Sequence, residues 1–283
     1  MSSELIRMFR YPSMIKSAAF CAATFGLLAV VFKNSVVLIP EVSEIRLCNI
    51  LAVVYGLYFG PAGAWGCLVG NLIGDMAGSL TVLSWYGGIA NFLSAYLPYK
   101  LWCVLGATYG ESPLARPSVH SPKLAVRLIL ACIVSVVPCV ALLSGFFDVH
   151  GTMPAANTFA MLGLNNTGAT VLGAVLFLVA SRIPARVLPY WRTLMDEETD
   201  RAFDSRHGVR MYVIAGISVL LAIAMVGYML VSGLSLTVMD EFGNVAIIAA
   251  ELGCVLVMIV LAASCQWKVR EQADAVDTGI IEL

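Results

Sequence analysis

Apolar residues fill most of this chain in stretches long enough to cross a bilayer, separated by short polar or glycine-containing breaks. The first apolar run covers residues 15–31 and is followed by a mixed segment from Lys33 to Arg46 that holds Pro40, Glu41 and Glu44. The next apolar stretch, 47–106, is too long for one crossing, since about 20 residues span a hydrocarbon core. Two turns divide it. Gly60-Pro61 closes the first piece, because the residue before a proline disfavours helix and proline suits a helix start. Gly78-Ser79 closes the second. The pattern predicts span 1 at 15–31, span 2 at 47–59, span 3 at 61–78 and span 4 at 83–105. Span 2 makes roughly 20 Å of helix against a core of about 30 Å, so it is expected to begin within the protein. Span 5 covers 123–146 and carries Pro138, a predicted kink. Span 6 covers 157–181, and spans 7 (209–233) and 8 (244–265) form a final hairpin.

The expected fold is therefore an all-α polytopic membrane protein of about eight spans. Residues 1–183 hold a six-helix core. Residues 184–208 are a polar connection with Pro184, Pro189 and the acidic run Asp196-Glu197-Glu198, and 209–283 carry the hairpin and a short tail.

The charges orient this fold. Of 17 Lys and Arg, only Lys33 and Arg46 fall in one set of alternate connections; the other 15 fall in the opposite set or at the termini. Basic residues resist translocation, so both termini and the connections around 110–122 and 184–208 are expected in the cytoplasm of a cell-membrane protein. Residues 147–157 and 234–243, which hold no Lys or Arg, are expected outside. Arg46 outside and Lys100 inside require an odd number of crossings between them, in agreement with spans 2, 3 and 4.

Composition changes the picture little. Sixty percent hydrophobic residues, 12% charged residues and a mean hydropathy of +0.88 mark a membrane protein. The net charge of −1 carries no partner information, and without a basic face nucleic acid is not an expected partner. The eight cysteines form no CxxC pair, so neither a metal site nor a disulfide framework is indicated. The apolar run after Lys16 is too long for a signal-peptide core and is expected to stay as an uncleaved span. No phosphate loop, HExxH or GxSxG motif occurs, so no enzyme activity and no cofactor are expected.

Polar residues inside the spans carry the candidate chemistry. Asn71 and Asp75 share one face of span 3, Asn91 lies in span 4, and Asn165-Asn166 lie in span 6. Counted from the outer ends, Asn71, Asn91 and Asn165 are each about 12 Å deep. Intramembrane polar groups face a cavity or a partner. The alternatives are one outward-facing binding site, with Asp75 and Trp85 near its mouth, or separate hydrogen bonds that hold the bundle. Glu44 with Arg46 forms either a pair closing the external mouth or an interfacial anchor. Small residues form a second pattern. Ala62, Gly66, Gly70 and Gly74 recur every four residues in span 3, and Ala18, Ala19, Ala22 and Ala23 form a patch in span 1. Such stripes allow close helix approach, either within the chain or to another subunit.

The stretch RLCNILAVVYGLYFGPAGAWGCLVGNLIGDMAGSL at 46–80, followed by GGIANFLSAYLPYKLW at 87–102, resembles the substrate-binding S components of energy-coupling-factor (ECF) vitamin transporters. The matching elements are the turn Gly56-Leu57-Tyr58-Phe59-Gly60-Pro61 and the polar element Gly70-Asn71-Leu72-Ile73-Gly74-Asp75. The resemblance covers roughly residues 10–183 and implies a six-helix protein that captures a vitamin-like micronutrient from outside. It also implies docking on a transmembrane coupling protein served by two cytoplasmic ATPases. Ala18, Ala22, Gly66 and Gly70 match the docking positions. The hairpin after residue 183 departs from the family pattern. Two other readings stand beside an importer's capture subunit: a membrane sensor or scaffold, and a self-contained secondary transporter.

Overall fold

The computed structural model describes residues 4–32, 37–39, 43–44, 47–78, 80–111, 115–195, 205–231 and 245–265. Among these the fold is all-α apart from one two-stranded ladder. After a single helical turn, α1 (Glu4–Arg7), the helices are α2 (Pro12–Val31), α3 (Ile50–Phe59), α4 (Pro61–Met76), α5 (Val82–Thr108), α6 (Pro122–Val149), α7 (Ala155–Ala180), α8 (Ser205–Val231) and α9 (Val245–Ser264). Helices α2 to α9 follow the predicted spans in order, with ends displaced by a few residues. Five of them, within α2, α6, α7, α8 and α9, are long and apolar enough to cross a membrane. The ladder, β1 (Val37–Ile39) against β2 (Ser43–Glu44), pairs antiparallel in the segment between the first two spans.

Helix starts follow local rules. Pro12, Pro61 and Pro122 sit at the first turns of α2, α4 and α6, where a missing N–H costs nothing. Ser121 accepts from the Leu124 N–H, and Thr81 with Ser84 forms a reciprocal cap at the start of α5. Gly60 makes the α3–α4 turn with φ +51°, a conformation that favours glycine, and its bare face receives the indole of Trp191. Both α5 and α6 continue as helix through internal prolines, Pro98 and Pro138.

Packing places α5 at the centre, against α3, α4, α6 and α8. Helix α2 lies along α4, and α3 fits between α5 and α7. The α2–α4 contact comes from the stripe of small residues. An added Cβ at Gly70 would lie 2.7 Å from the Phe25 Cβ and 2.9 Å from the Ala22 carbonyl oxygen, and at Gly66 it would collide with Cys21 beside Ala18 and Ala22. The ridge expected on span 3 is thus filled from within the chain by the patch on span 1. Lipid is as apolar as the helices it surrounds, so such close fitting supplies the attraction that burial supplies in water. The outer side of α2 keeps Ala19, Phe20, Ala23 and Leu27 exposed. Helices α8 and α9 pack on each other and on α6, with Gly145 accommodating Leu252.

Candidate functional site

The polar face of α4 meets α5 at Asn71. This side chain is 2% exposed and Asn91 is 5% exposed. Asn91 Nδ2 donates to Asn71 Oδ1 at 3.0 Å and to the Gly87 carbonyl at 3.0 Å. Asn71 Nδ2 donates in turn to Asp75 Oδ2 at 3.2 Å and to the Ser84 carbonyl at 3.3 Å. Each amide nitrogen has two protons, so both are fully engaged. Both oxygens of the pair are acceptors, and they differ. Asn71 Oδ1 receives Asn91, whereas Asn91 Oδ1 finds no hydrogen-bond partner among the described residues. The half-buried Asp75 carboxylate sits one helical turn further along α4. The cluster therefore presents a buried acceptor and a nearby carboxylate.

The sequence expectation grouped these residues with Asn165, Asn166 and Trp85. The structure joins Asn71, Asp75 and Asn91, and sets α7 against α3 and α6. There Asn49 Nδ2 donates to Asn166 Oδ1 at 2.6 Å and Asn166 Nδ2 donates to the Leu162 carbonyl. Asn165 is buried beside it. The amides thus fall into two groups on different helix pairs. Trp85 is 56% exposed on α5, and the neighbouring Tyr86 stacks on Phe146 with ring centroids 3.8 Å apart. Glu44 lies in β2 opposite Val37; its side chain and Arg46 lie outside the described residues. Asn49 escaped the sequence reading although it stands at the start of an apolar run, the signal that singled out the other asparagines.

A second polar network, unforeseen from sequence, occupies the other end of the bundle. Lys100 on α5 is 1% exposed, and its Nζ lies 2.6 Å from Glu4 Oε1. The same ammonium donates to the Cys265 carbonyl at 2.7 Å, and Tyr99 Oη donates to Glu4 Oε1 at 3.1 Å. Trp191 packs edge-on against Tyr99, and Tyr190 Oη lies 3.4 Å from Cys103 Sγ. Burial pushes the Tyr190 phenol well above its ordinary range. Nearby, Arg127 pairs with Glu111 at 2.8 Å, reaches the Trp102 carbonyl and lies over the Trp102 ring. Arg116 bonds the carbonyls of Ala180 and Ile183, where α7 ends. Several basic residues that oriented the fold in sequence are thus built into its packing at that end.

Helices long and apolar enough to cross a membrane, with a buried polar network at one end of the bundle and an amide–carboxylate cluster towards the other, mark a membrane protein. A family model described as QueT transporter matches residues 15–182, from within α2 to just beyond α7. The chain belongs to the QueT transporter family, an S-component family of the ECF type. No curated protein matches it, and no solved structure does. The matched range is the six-helix core, and α8 and α9 lie beyond it.

Proposed function

We propose that this chain is the capture subunit of an ATP-driven ECF importer, and that it takes a queuosine precursor from outside the cell. The observation that carries the reading is the buried Asn91 Oδ1, an acceptor with no partner among the described residues, held beside Asn71 and Asp75. A buried polar group left unpaired costs about 1–3 kcal/mol, which a ligand donor at that place recovers. A queuosine precursor is a deazaguanine base with a guanine-like edge of N–H donors. Asn91 Oδ1 and the Asp75 carboxylate are acceptors of matching sign, within a mostly apolar surround that suits a heterocycle. Asn165, Asn166 and Trp85 border the same outer side and complete the proposed contact set, with Glu44 and Arg46 in the segment above it.

In this reading the chain crosses the membrane eight times, with both termini in the cytoplasm, as the distribution of basic residues supports. It docks on a transmembrane coupling protein joined to two cytoplasmic ATPases. Ala18, Ala22, Gly66 and Gly70 hold α2 and α4 together, and the exposed Ala19 and Ala23 beside them offer the docking face. The test separates capture from transport. The purified chain is expected to bind a queuosine precursor without nucleotide, and to import it into liposomes only with the coupling protein and ATPases. Import by the chain alone would make it a self-contained carrier, and absence of binding would remove the substrate assignment.

A further inference from the structure

The hairpin beyond the family match buries a carboxyl group. Glu251 on α9 is 0% exposed, lying in the contact with α6. It stands six residues from the start of α9, about 9 Å along the helix. Its Oε2 lies 2.8 Å from Ser144 Oγ, while its Oε1 is buried with no hydrogen-bond partner among the described residues. An intramembrane carboxylate in this state needs a compensating cation.

Among the described residues, the facing elements provide none. On α6 the ionisable group near it is Asp148, another acid, which accepts from the Ala155 N–H at 2.8 Å. Helix α7 carries no ionisable residue. On α8, Arg206, His207, Arg210 and Tyr212 lie in the first two turns and Tyr228, which is not a cation, in the last; Arg210 bonds Ser264, about 20 Å along α9 from Glu251. Glu251 is the one charged residue within α9 itself.

The hydroxyl of Ser144 offers a place for a proton. It has a single proton and two acceptors in range, the Ala141 carbonyl at 3.0 Å and Glu251 Oε2 at 2.8 Å. An ionised Glu251 leaves Ser144 to share its one proton between two acceptors, whereas a protonated Glu251 Oε2 that donates to Ser144 Oγ frees the Ser144 proton for Ala141 and gives each contact a full hydrogen bond. The unpartnered Oε1 is then a neutral carbonyl oxygen, far cheaper to bury than half of a carboxylate.

We propose that Glu251 is an intramembrane proton-binding site, and that its bound proton seats the C-terminal hairpin on α6. Loss of that proton places a carboxylate beside Asp148 with no cation to face among the described residues, which drives α9 away from the core. Infrared difference spectroscopy of the purified full chain tests this at neutral pH, with wild type compared to Glu251→Gln. The expected difference is the loss of one protonated-carboxyl carbonyl band, and Ser144→Ala shifts that band without removing it. Loss of carboxylate bands in Glu251→Gln would instead mean an ionised Glu251 and overturn the proposal. The seating role has its own readout. Wild type is expected to lose thermal stability on alkalinisation more steeply than Glu251→Gln, and parallel pH profiles would refute it.

Discussion

Replacing Glu4 by Gln keeps the shape of the side chain and removes the charge that faces Lys100. In the folded protein both partners are almost completely buried, at 4% and 1% side-chain exposure, with 2.6 Å between Nζ and Oε1. Solvent cannot take the place of the lost carboxylate. Breaking a buried pair by removing one partner costs about 3–5 kcal/mol, whereas an exposed pair contributes about 0–1 kcal/mol. The Cys265 carbonyl still accepts from Lys100, and the Gln carbonyl oxygen can keep the Tyr99 bond, so the lower end of that range, about 3 kcal/mol, is expected. Denaturant unfolding of the detergent-solubilised protein reads this directly. The double replacement Glu4→Leu with Lys100→Met removes both charges and is expected to recover most of the loss, because apolar packing replaces a buried pair at little net cost. A loss below about 0.5 kcal/mol in Glu4→Gln, the range of ordinary surface substitutions, would refute the burial argument.

Other consequences are as direct. Gly70→Leu drives a side chain into Ala22 and Phe25 on α2, so it is expected to destabilise the folded chain by more than about 3 kcal/mol and to lower its yield in membranes. Wild-type stability in that variant would mean that α2 and α4 separate at no cost. In a cysteine-depleted variant, a cysteine at Thr152 is expected to react with an impermeant thiol reagent from outside, and one at His120 only after permeabilisation. The reverse pattern would invert the topology and move the amide cluster to the cytoplasmic side. Asp75→Asn keeps the outer cluster in shape and removes its charge, so binding of a queuosine precursor is expected to weaken, with the loss read by calorimetry. Unchanged affinity would place Asp75 outside the ligand's reach.

The order of helices was legible in the sequence because apolar run length and the Gly-Pro turn are local signals. Gly60-Pro61 separated α3 from α4 without any knowledge of Trp191, which fills the turn from about 130 residues away. The stripe of small residues was equally plain, but its partner was not. A bare ridge specifies close approach and leaves open which helix approaches, and here α2 supplies Cys21, Ala22 and Phe25. Depth counting put Asn71 and Asn91 at one level, and the two side chains meet where α4 packs on α5. The same counting could not tell that α7 packs on α3, which gives Asn166 to Asn49. Lys100 was read as a cytoplasmic charge and Glu4 was passed over, since a pair separated by 96 residues has no local signature. Glu251 did have one. It is the acidic residue inside span 8, and the rule that singled out Asp75 applies to it with equal force.

The Asn91 amide nitrogen is fully engaged, while its oxygen has no hydrogen-bond partner among the described residues. Equilibrium binding of a queuosine precursor to the purified chain, wild type against Asn91→Ala, measures that assignment most directly. Loss of one ligand bond in a dry site corresponds to about 1–3 kcal/mol, or roughly 5- to 150-fold in affinity. Asn71→Ala, which releases Asn91 from its anchor, is expected to weaken binding as well. A fall of this size in Asn91→Ala, with the unliganded chain still folded by circular dichroism, is the predicted result; equal affinity in the wild type and Asn91→Ala would contradict it.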